Sequence, residues 1–322
     1  MIYDAFNGDA DGLCALHQLR LAEPVKSTLI TGVKRDTQLL KKIDAQPGDE
    51  IVAVDIAVVR NAPQLEAALA KGVRVRWFDH HASGTLPVHP NFHATIDTSA
   101  DICTSLLMDR HLNGAYRAWA VAAAFGDNLH DAARRAAEPL GLGRSRLDDL
   151  RELGECLNYN GYGDSLEDLH FHPADLYRAM QPYADPFDFL HEAAEFHTLR
   201  TGYLLDMVQA RSIRAAEVRP SGAVYVLPDE PWARRVSGVY ANDLASTQPQ
   251  RAHAVLTRSS QGYYTVSVRA PMVDRHGADQ LCKQFETGGG RAAAAGINIL
   301  PEARIPDFIH AFFLAYPISR RG

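Results

Sequence analysis

The four cysteines of this chain, Cys14, Cys103, Cys156 and Cys282, lie far apart and form no CxxC pair. That spacing excludes a zinc ribbon and a disulfide framework, and it suits a reducing compartment. No apolar run approaches the length needed to span a bilayer, and a strand-like run begins at Ile2, leaving no room for a signal peptide. The expectation is a cytoplasmic protein with no membrane partner. Basic charge is also in the minority: 33 Lys and Arg stand against 39 Asp and Glu, a net charge of -6 over 322 residues. A surface built to track long nucleic acid carries a basic face or stripe, so a long nucleic-acid partner is not expected. A small anionic substrate in a local pocket remains compatible. With 46% apolar and 22% charged residues the composition is that of an ordinary globular protein, and the length suits two domains with separate cores.

What the chain does have is acid and imidazole at the ends of strand-like runs. The run Val73 to Phe78 leads into Asp79-His80-His81. The run Ile2 to Phe6 leads into Asn7-Gly8-Asp9-Ala10-Asp11-Gly12, and Ile51 to Val54 leads into Asp55. Open α/β sheets build their sites at strand carboxyl ends, and carboxylates with imidazoles converging there suit divalent cations, with imidazole shifting the preference toward Mn²⁺. Asp9 and Asp11 repel each other unless a cation lies between them. Alone, the pair reads more readily as an Asp/Gly turn with Asp11 capping a helix. Asp127, in Ala-Phe-Gly-Asp-Asn, reads alone as a cap or turn residue; in company it would complete a ligand shell.

Up to about residue 130, strands alternate with helices expected over Asp11–Leu21, Pro63–Ala70, Thr104–Leu112 and Tyr116–Phe125. This rhythm predicts an α/β fold with a mostly parallel, doubly wound sheet. Residues 131–216 lose the strand signal and predict a helical connecting segment that ends in a long helix from Phe187 to Ala216. Within it, Leu157 to Gly163 reads as a surface turn or, less readily, as a lid stacking a base on Tyr159 or Tyr162. Strands return over Val224–Leu227, Ala254–Leu256 and Tyr263–Val268, so 217–322 is expected to form a smaller α/β substrate domain. No internal repeat is present.

The order and spacing of these motifs resemble the DHH phosphoesterase superfamily. Its four amino-terminal motifs are similar to Asn7–Gly12, Asp55, Asp79-His80-His81 and Asp127, and its linking segment to Asp97–Ser105. At the carboxyl end, Val266-Ser267-Val268-Arg269 and Gly288-Gly289-Gly290-Arg291 running on to Gly296 are similar to the DHH-associated domain. Two positions depart from that pattern: Asn7 stands where the family has histidine, and Arg291 stands where the glycine motif ends in histidine.

The resemblance implies a metal-binding catalytic domain over 1–130 and a substrate cleft between the two domains. It implies two Mn²⁺ sites, one weakened by Asn7, with Mg²⁺ or Co²⁺ as substitutes. Asp55 would bridge the cations; Asp9, with Asn7, would serve one, and Asp11, His80 and Asp127 the other. Asp79 and His81 would be catalytic, orienting ligands and contacting the phosphate, while Arg269, Gly288, Gly289, Gly290 and Arg291 would bind substrate. The implied activity is hydrolysis of short oligonucleotides or linear dinucleotides, oligoribonuclease-like, extending to 3′-phosphorylated nucleotides. A cyclic dinucleotide phosphodiesterase shares every motif. A pyrophosphatase or polyphosphatase shares the first four, but Arg269 and the glycines favour a nucleotide. Asn7 favours a reading of another class, a catalytically weakened nucleotide-binding regulatory protein. A homodimer is compatible with each.

Overall fold

The computed structural model describes residues 1–317. They gather into two compact units, Met1–Thr201 and a second that begins at Gly202. In the first unit β1 (Ile2–Phe6), α1 (Ala10–Ala22), β2 (Thr28–Ile30), β3 (Glu50–Val54), α2 (Val58–Ala70), β4 (Arg74–Asp79) and β5 (Phe92–Ile96) follow one another. The strands form a sheet of order β2-β1-β3-β4-β5 in which every pair is parallel. Ile51, Val52, Ala53 and Val54 are all within 1% of complete burial, the continuous apolar run of a strand covered on both faces. From β1 the chain moves one way to β2 and the other way through β3 to β5, so the order reverses between β1 and β3. The carboxyl ends of those two strands therefore border the crevice where ligands bind in such sheets.

A buried ion pair ties β1 to the helix after it. Asp4, wholly buried in β1, accepts hydrogen bonds from Arg20 Nε at 2.9 Å, Arg20 Nη2 at 2.5 Å and Ser27 Oγ at 2.6 Å. The rest of the unit is helical: α3 (Thr104–His111), α4 (Arg117–Gly126), α5 (His130–Ala137), α6 (Arg144–Gly161), α7 (Pro173–Met180) and α8 (Pro186–Glu192). Then α9 (Ala194–Ser212) runs on past Thr201. The single long helix expected from Phe187 is thus two, because Ala193 takes an extended conformation, φ -77 and ψ 121, between α8 and α9. The helix expected from Pro63 starts at Val58, with the proline inside it.

The second unit contains β6 (Glu217–Arg219), β7 (Gly222–Leu227), α10 (Pro231–Thr247), β8 (Ala252–Arg258), β9 (Tyr263–Arg269), α11 (Ala278–Cys282), β10 (Gly288–Gly290), β11 (Ala294–Pro301) and α12 (Ile305–Ala315). Its sheet has the order β10-β11-β9-β8-β7-β6 and is antiparallel apart from the β7–β8 pair. Val224, Leu256, Val266, Ile297, Phe308 and Phe312 pack into its core. Among the described residues no helix is long and apolar enough to cross a membrane.

Candidate metal centre

The turn after β1 enters α1 through Asp9, whose Oδ1 accepts the backbone N–H groups of Asp11 and Gly12, each at 3.1 Å. Asp9, not Asp11, is therefore the cap of α1. Gly12 is needed for this turn, since a Cβ there would fall 2.2 Å from the carbonyl oxygen of Asn7. Freed from capping its own helix, Asp11 serves another. Its carboxylate accepts the backbone N–H groups of Thr104 and Ser105, each at 2.7 Å, at the amino end of α3. Unpaired N–H groups at a helix start favour an anion, which fixes both oxygens of Asp11 in place.

Asp55 follows β3 in a left-handed conformation, φ 58, unusual for a residue with a side chain. Two bonds from β4 enforce it: Asp55 N–H donates to the Phe78 carbonyl at 2.9 Å, and buried Trp77 donates through Nε1 to the Ile56 carbonyl at 2.8 Å. The Thr104 hydroxyl donates to Asp55 Oδ1 at 3.0 Å. Asp127 caps the carboxyl end of α4, and Asn128 at φ 61 turns the chain away.

His80 is the hub of these groups. Its Nδ1 lies 2.9 Å from the Ile102 carbonyl, an acceptor, so Nδ1 carries the proton and Nε2 presents a lone pair. That Nε2 is 3.5 Å from Asp55 Oδ1, 3.9 Å from Asp11 Oδ2 and 3.9 Å from Asp127 Oδ2. One ion at about 2.0–2.2 Å from each donor spans such separations, and three carboxylates with one oriented imidazole suit Mn²⁺. Asp55, His80 and His81 form an overlapping set of potential ligands. His81 is hydrogen-bonded through Nδ1 to buried Asp79 at 2.7 Å and lies 3.9 Å from Asp55 Oδ1.

The electrostatics match a site made for positive charge. Burial raises the Asp55 carboxyl well above its usual range, and the charges of Asp11, Asp9, Asp127 and Asp79 push it further. Asp11 is raised by burial and by Asp127, against the opposing influence of His80. Burial opposes the charged form of His81, but its hydrogen bond to Asp79 and the Asp79 charge outweigh that and raise it. Asp9 moves the opposite way to Asp55 and Asp11, down, because a cation outweighs its burial. That cation is Lys34, whose Nζ is 2.5 Å from Asp9 Oδ2, 3.5 Å from Asp127 Oδ1 and 3.2 Å from Asn158 Oδ1.

Lys34 is the residue that motif reading misses. The one trace of it in the sequence is the pair Lys34-Arg35 shortly after the short strand β2, a fourth strand end beside the other three. Asn7 is buried, its Nδ2 donates to the Lys34 carbonyl at 3.4 Å, and its Oδ1 accepts no hydrogen bond. The part of this segment expected as a surface turn, Leu157–Gly161, is instead the buried end of α6, with Tyr159 fully buried and bonded through its hydroxyl to His170 Nε2 at 2.7 Å, so Tyr159 offers no stacking face; Tyr162 follows the helix and is half-buried. Gly161 there lets α6 approach the first motif, since a Cβ would lie 2.9 Å from that of Asp9. The apolar repeat Leu150, Leu153, Leu157 runs into this segment and signals its burial.

The expected substrate residues lie in the second unit, at one end of its sheet. Arg269 pairs with Ala294 across β9 and β11, and Arg291 begins the tight turn that returns to Ala294. Gly288, Gly289 and Gly290 form β10, opposite Ile297, Gly296 and Ala295. Arg291 is exposed, whereas the Arg269 guanidinium donates to Asn242 Oδ1 at 2.6 Å, to the Val268 carbonyl at 3.0 Å and to the Gly238 carbonyl at 3.4 Å.

No family model matches the sequence, and no curated protein does. Solved structures do. A manganese-bound exonuclease RecJ aligns with a TM-score of 0.63 at 18% identity, over 98% of this chain and 90% of that one. The chain has the RecJ fold. RecJ of Thermus thermophilus, in complex with Mn²⁺, gives a TM-score of 0.59 at 20% identity, with 98% of this chain covering 52% of the larger one. PggH of Vibrio cholerae, a pGpG-specific phosphodiesterase, gives 0.59 at 16% identity over 98% of both chains. This fold agrees with the DHH resemblance that the motifs carry.

Proposed function

We propose that this chain is a divalent-metal-dependent hydrolase of phosphodiester bonds in short nucleotidic substrates. The observation that carries the reading is the convergence of Asp11, Asp55 and Asp127 on the lone pair of His80 Nε2. Asp11, Asp55, His80 and Asp127 would hold Mn²⁺, with Mg²⁺ or Co²⁺ as substitutes. When bound, the ion supplies Lewis acidity toward a phosphoryl oxygen and makes water a competent nucleophile near neutral pH. The protein contributes orientation: Ile102 sets the His80 tautomer, α3 fixes Asp11, and Thr104 steadies Asp55. His81, held by Asp79 and raised in pKa, would donate a hydrogen bond or proton to the phosphate or the departing oxygen. Arg291, with Arg269 where its existing bonds allow, would hold a further phosphate.

Charge bears on substrate length. The net charge of -6 favours a linear dinucleotide, the kind of substrate named for PggH, or a 3′-phosphorylated nucleotide over long nucleic acid, and the proposed setting is cytoplasmic. Lys34 on Asp9 and asparagine at position 7 favour the second reading, a nucleotide-binding protein with weakened turnover.

The test is a substrate panel on protein stripped with chelator and reconstituted with Mn²⁺: linear diguanylate, cyclic diguanylate, a nucleoside 3′,5′-bisphosphate, pyrophosphate and single strands of increasing length. The expected result is Mn²⁺-dependent hydrolysis of the linear dinucleotide, abolished by chelator and weaker on long strands. Binding of nucleotide without hydrolysis of any member would establish the regulatory reading instead.

A further inference from the structure

The resemblance to a two-cation family meets an ammonium group in this chain. The Lys34 ammonium sits against the acidic cluster and its rim: Nζ lies 2.5 Å from Asp9 Oδ2, 3.2 Å from Asn158 Oδ1 and 3.5 Å from Asp127 Oδ1. The Nζ also lies 5.4 Å from the centre of the Tyr162 ring. The backbone of Lys34 is fastened as well, its N–H donating to the Gly161 carbonyl at 2.8 Å and its carbonyl accepting from Asn7 Nδ2 at 3.4 Å. These partners come from separate parts of the chain: β1 and its turn, the end of α4 and the end of α6. The lysine is thus built in, with its side chain about a quarter exposed.

Two further observations lie on the same side of the cluster. Asp9 has one oxygen capping α1 and the other paired with the Lys34 ammonium, a positive charge that a second cation beside Asp9 would have to displace or face at close range. Asn7 offers an amide where an imidazole would be the stronger ligand. The groups around His80 Nε2 differ, since Lys34 touches Asp127 but neither Asp11 nor Asp55 at ion-pair distance. Charge is balanced by this division. One divalent cation and one ammonium offset three of the four charges on Asp9, Asp11, Asp55 and Asp127, without the dehydration that a second cation requires.

We propose that the Lys34 ammonium takes the place of one of two cations, so that the chain holds a single divalent ion between Asp11, Asp55, His80 and Asp127. The proposal rests on the metal-dependent reading above and makes Lys34 a fixed positive charge beside the substrate phosphate.

Metal stoichiometry tests it without recourse to activity. Equilibrium dialysis against Mn²⁺, with metal analysis and low-temperature electron paramagnetic resonance, is run on the wild type, Lys34→Ala and Lys34→Met. Lys34→Met keeps a long unbranched apolar side chain should Lys34→Ala unsettle the fold. The wild type should bind one Mn²⁺ per chain with the spectrum of an isolated ion. The variants should bind a second, with the signature of a coupled pair. Two Mn²⁺ per wild-type chain, or no gain in folded variants, overturns the role of Lys34 and leaves the metal-dependent reading standing. A wild type that binds no Mn²⁺ overturns both.

Discussion

Asp11 belongs both to the fold and to the candidate site: its two oxygens hold the start of α3 while one of them faces His80 Nε2 at 3.9 Å. The two arginines of the second unit divide these roles. Arg269 donates three hydrogen bonds inside its own unit, and bonds from a charged group are each worth about 1.5–3 kcal/mol. Arg269→Ala should therefore lower stability by about 1–3 kcal/mol in urea unfolding, whereas exposed Arg291→Ala should stay within about 0.5 kcal/mol of wild type. Both should slow a dinucleotide more than a nitrophenyl phosphoester, which has no second phosphate to hold. Equal losses on the two substrates would remove these arginines from the substrate site. Asp55, His80 and His81 were legible in the sequence because they stand at or just past the end of an apolar strand, and Asp9 and Asp11 because they lie in the turn after one, whereas Asp127 follows the apolar helix α4 and gained meaning only in their company. Lys34 was not legible. A lysine in a loop ordinarily reads as a solvated charge, and what makes this one different is Asn158, 124 residues away.

At the scale of elements, the strands of the first unit were legible where burial on both faces leaves continuous β-branched runs, as in β3. The edge strand β5, Phe-His-Ala-Thr-Ile, exposes three consecutive residues and carries no such signal. Helix ends set by backbone, such as the break at Ala193, left no mark in side-chain pattern either. Packing of α1 against the helical layer has a pH consequence. His17 is buried beside the edge of Trp119, with ring centroids 4.7 Å apart, and donates through Nε2 to the Tyr183 carbonyl at 2.8 Å. Burial lowers its pKa to about 4 although the Tyr183 carbonyl favours the protonated ring. The unfolded chain takes up this proton near pH 6.5 and the folded chain only near 4, so stability is full above 6.5 and falls as pH drops toward 4. A shift of this size is worth about 3 kcal/mol. His17→Gln, which keeps a donor for Tyr183, should flatten the change in urea midpoint between neutral and acid pH. An unchanged pH dependence would show that other groups set it.

For the whole molecule, the fold class could be read from the alternation of strands and helices. The place of the site could be read from the acids and imidazoles that terminate the strands. The parallel sheet puts the carboxyl ends of β1 and β3 side by side where its order reverses, and the loops after β4 and α4 bring His80 and Asp127 to the same point. Long-range hydrogen bonds, Thr104 to Asp55 and Trp77 to Ile56 among them, then hold a left-handed aspartate that no local propensity would select. The central claim is that this cluster is the hydrolytic centre, and Asp55 is its most informative member. Asparagine tolerates the left-handed backbone and keeps the shape of the side chain, so Asp55→Asn removes charge with little disturbance of the fold. The decisive measurement is the rate of linear dinucleotide hydrolysis by wild type and Asp55→Asn at saturating Mn²⁺, with folding checked by circular dichroism. The predicted result is a loss of about 10²- to 10³-fold in the variant, matching several kcal/mol of metal-dependent stabilisation. A folded variant that keeps more than about a tenth of the wild-type rate, a barrier change of about 1.4 kcal/mol or less, would contradict it.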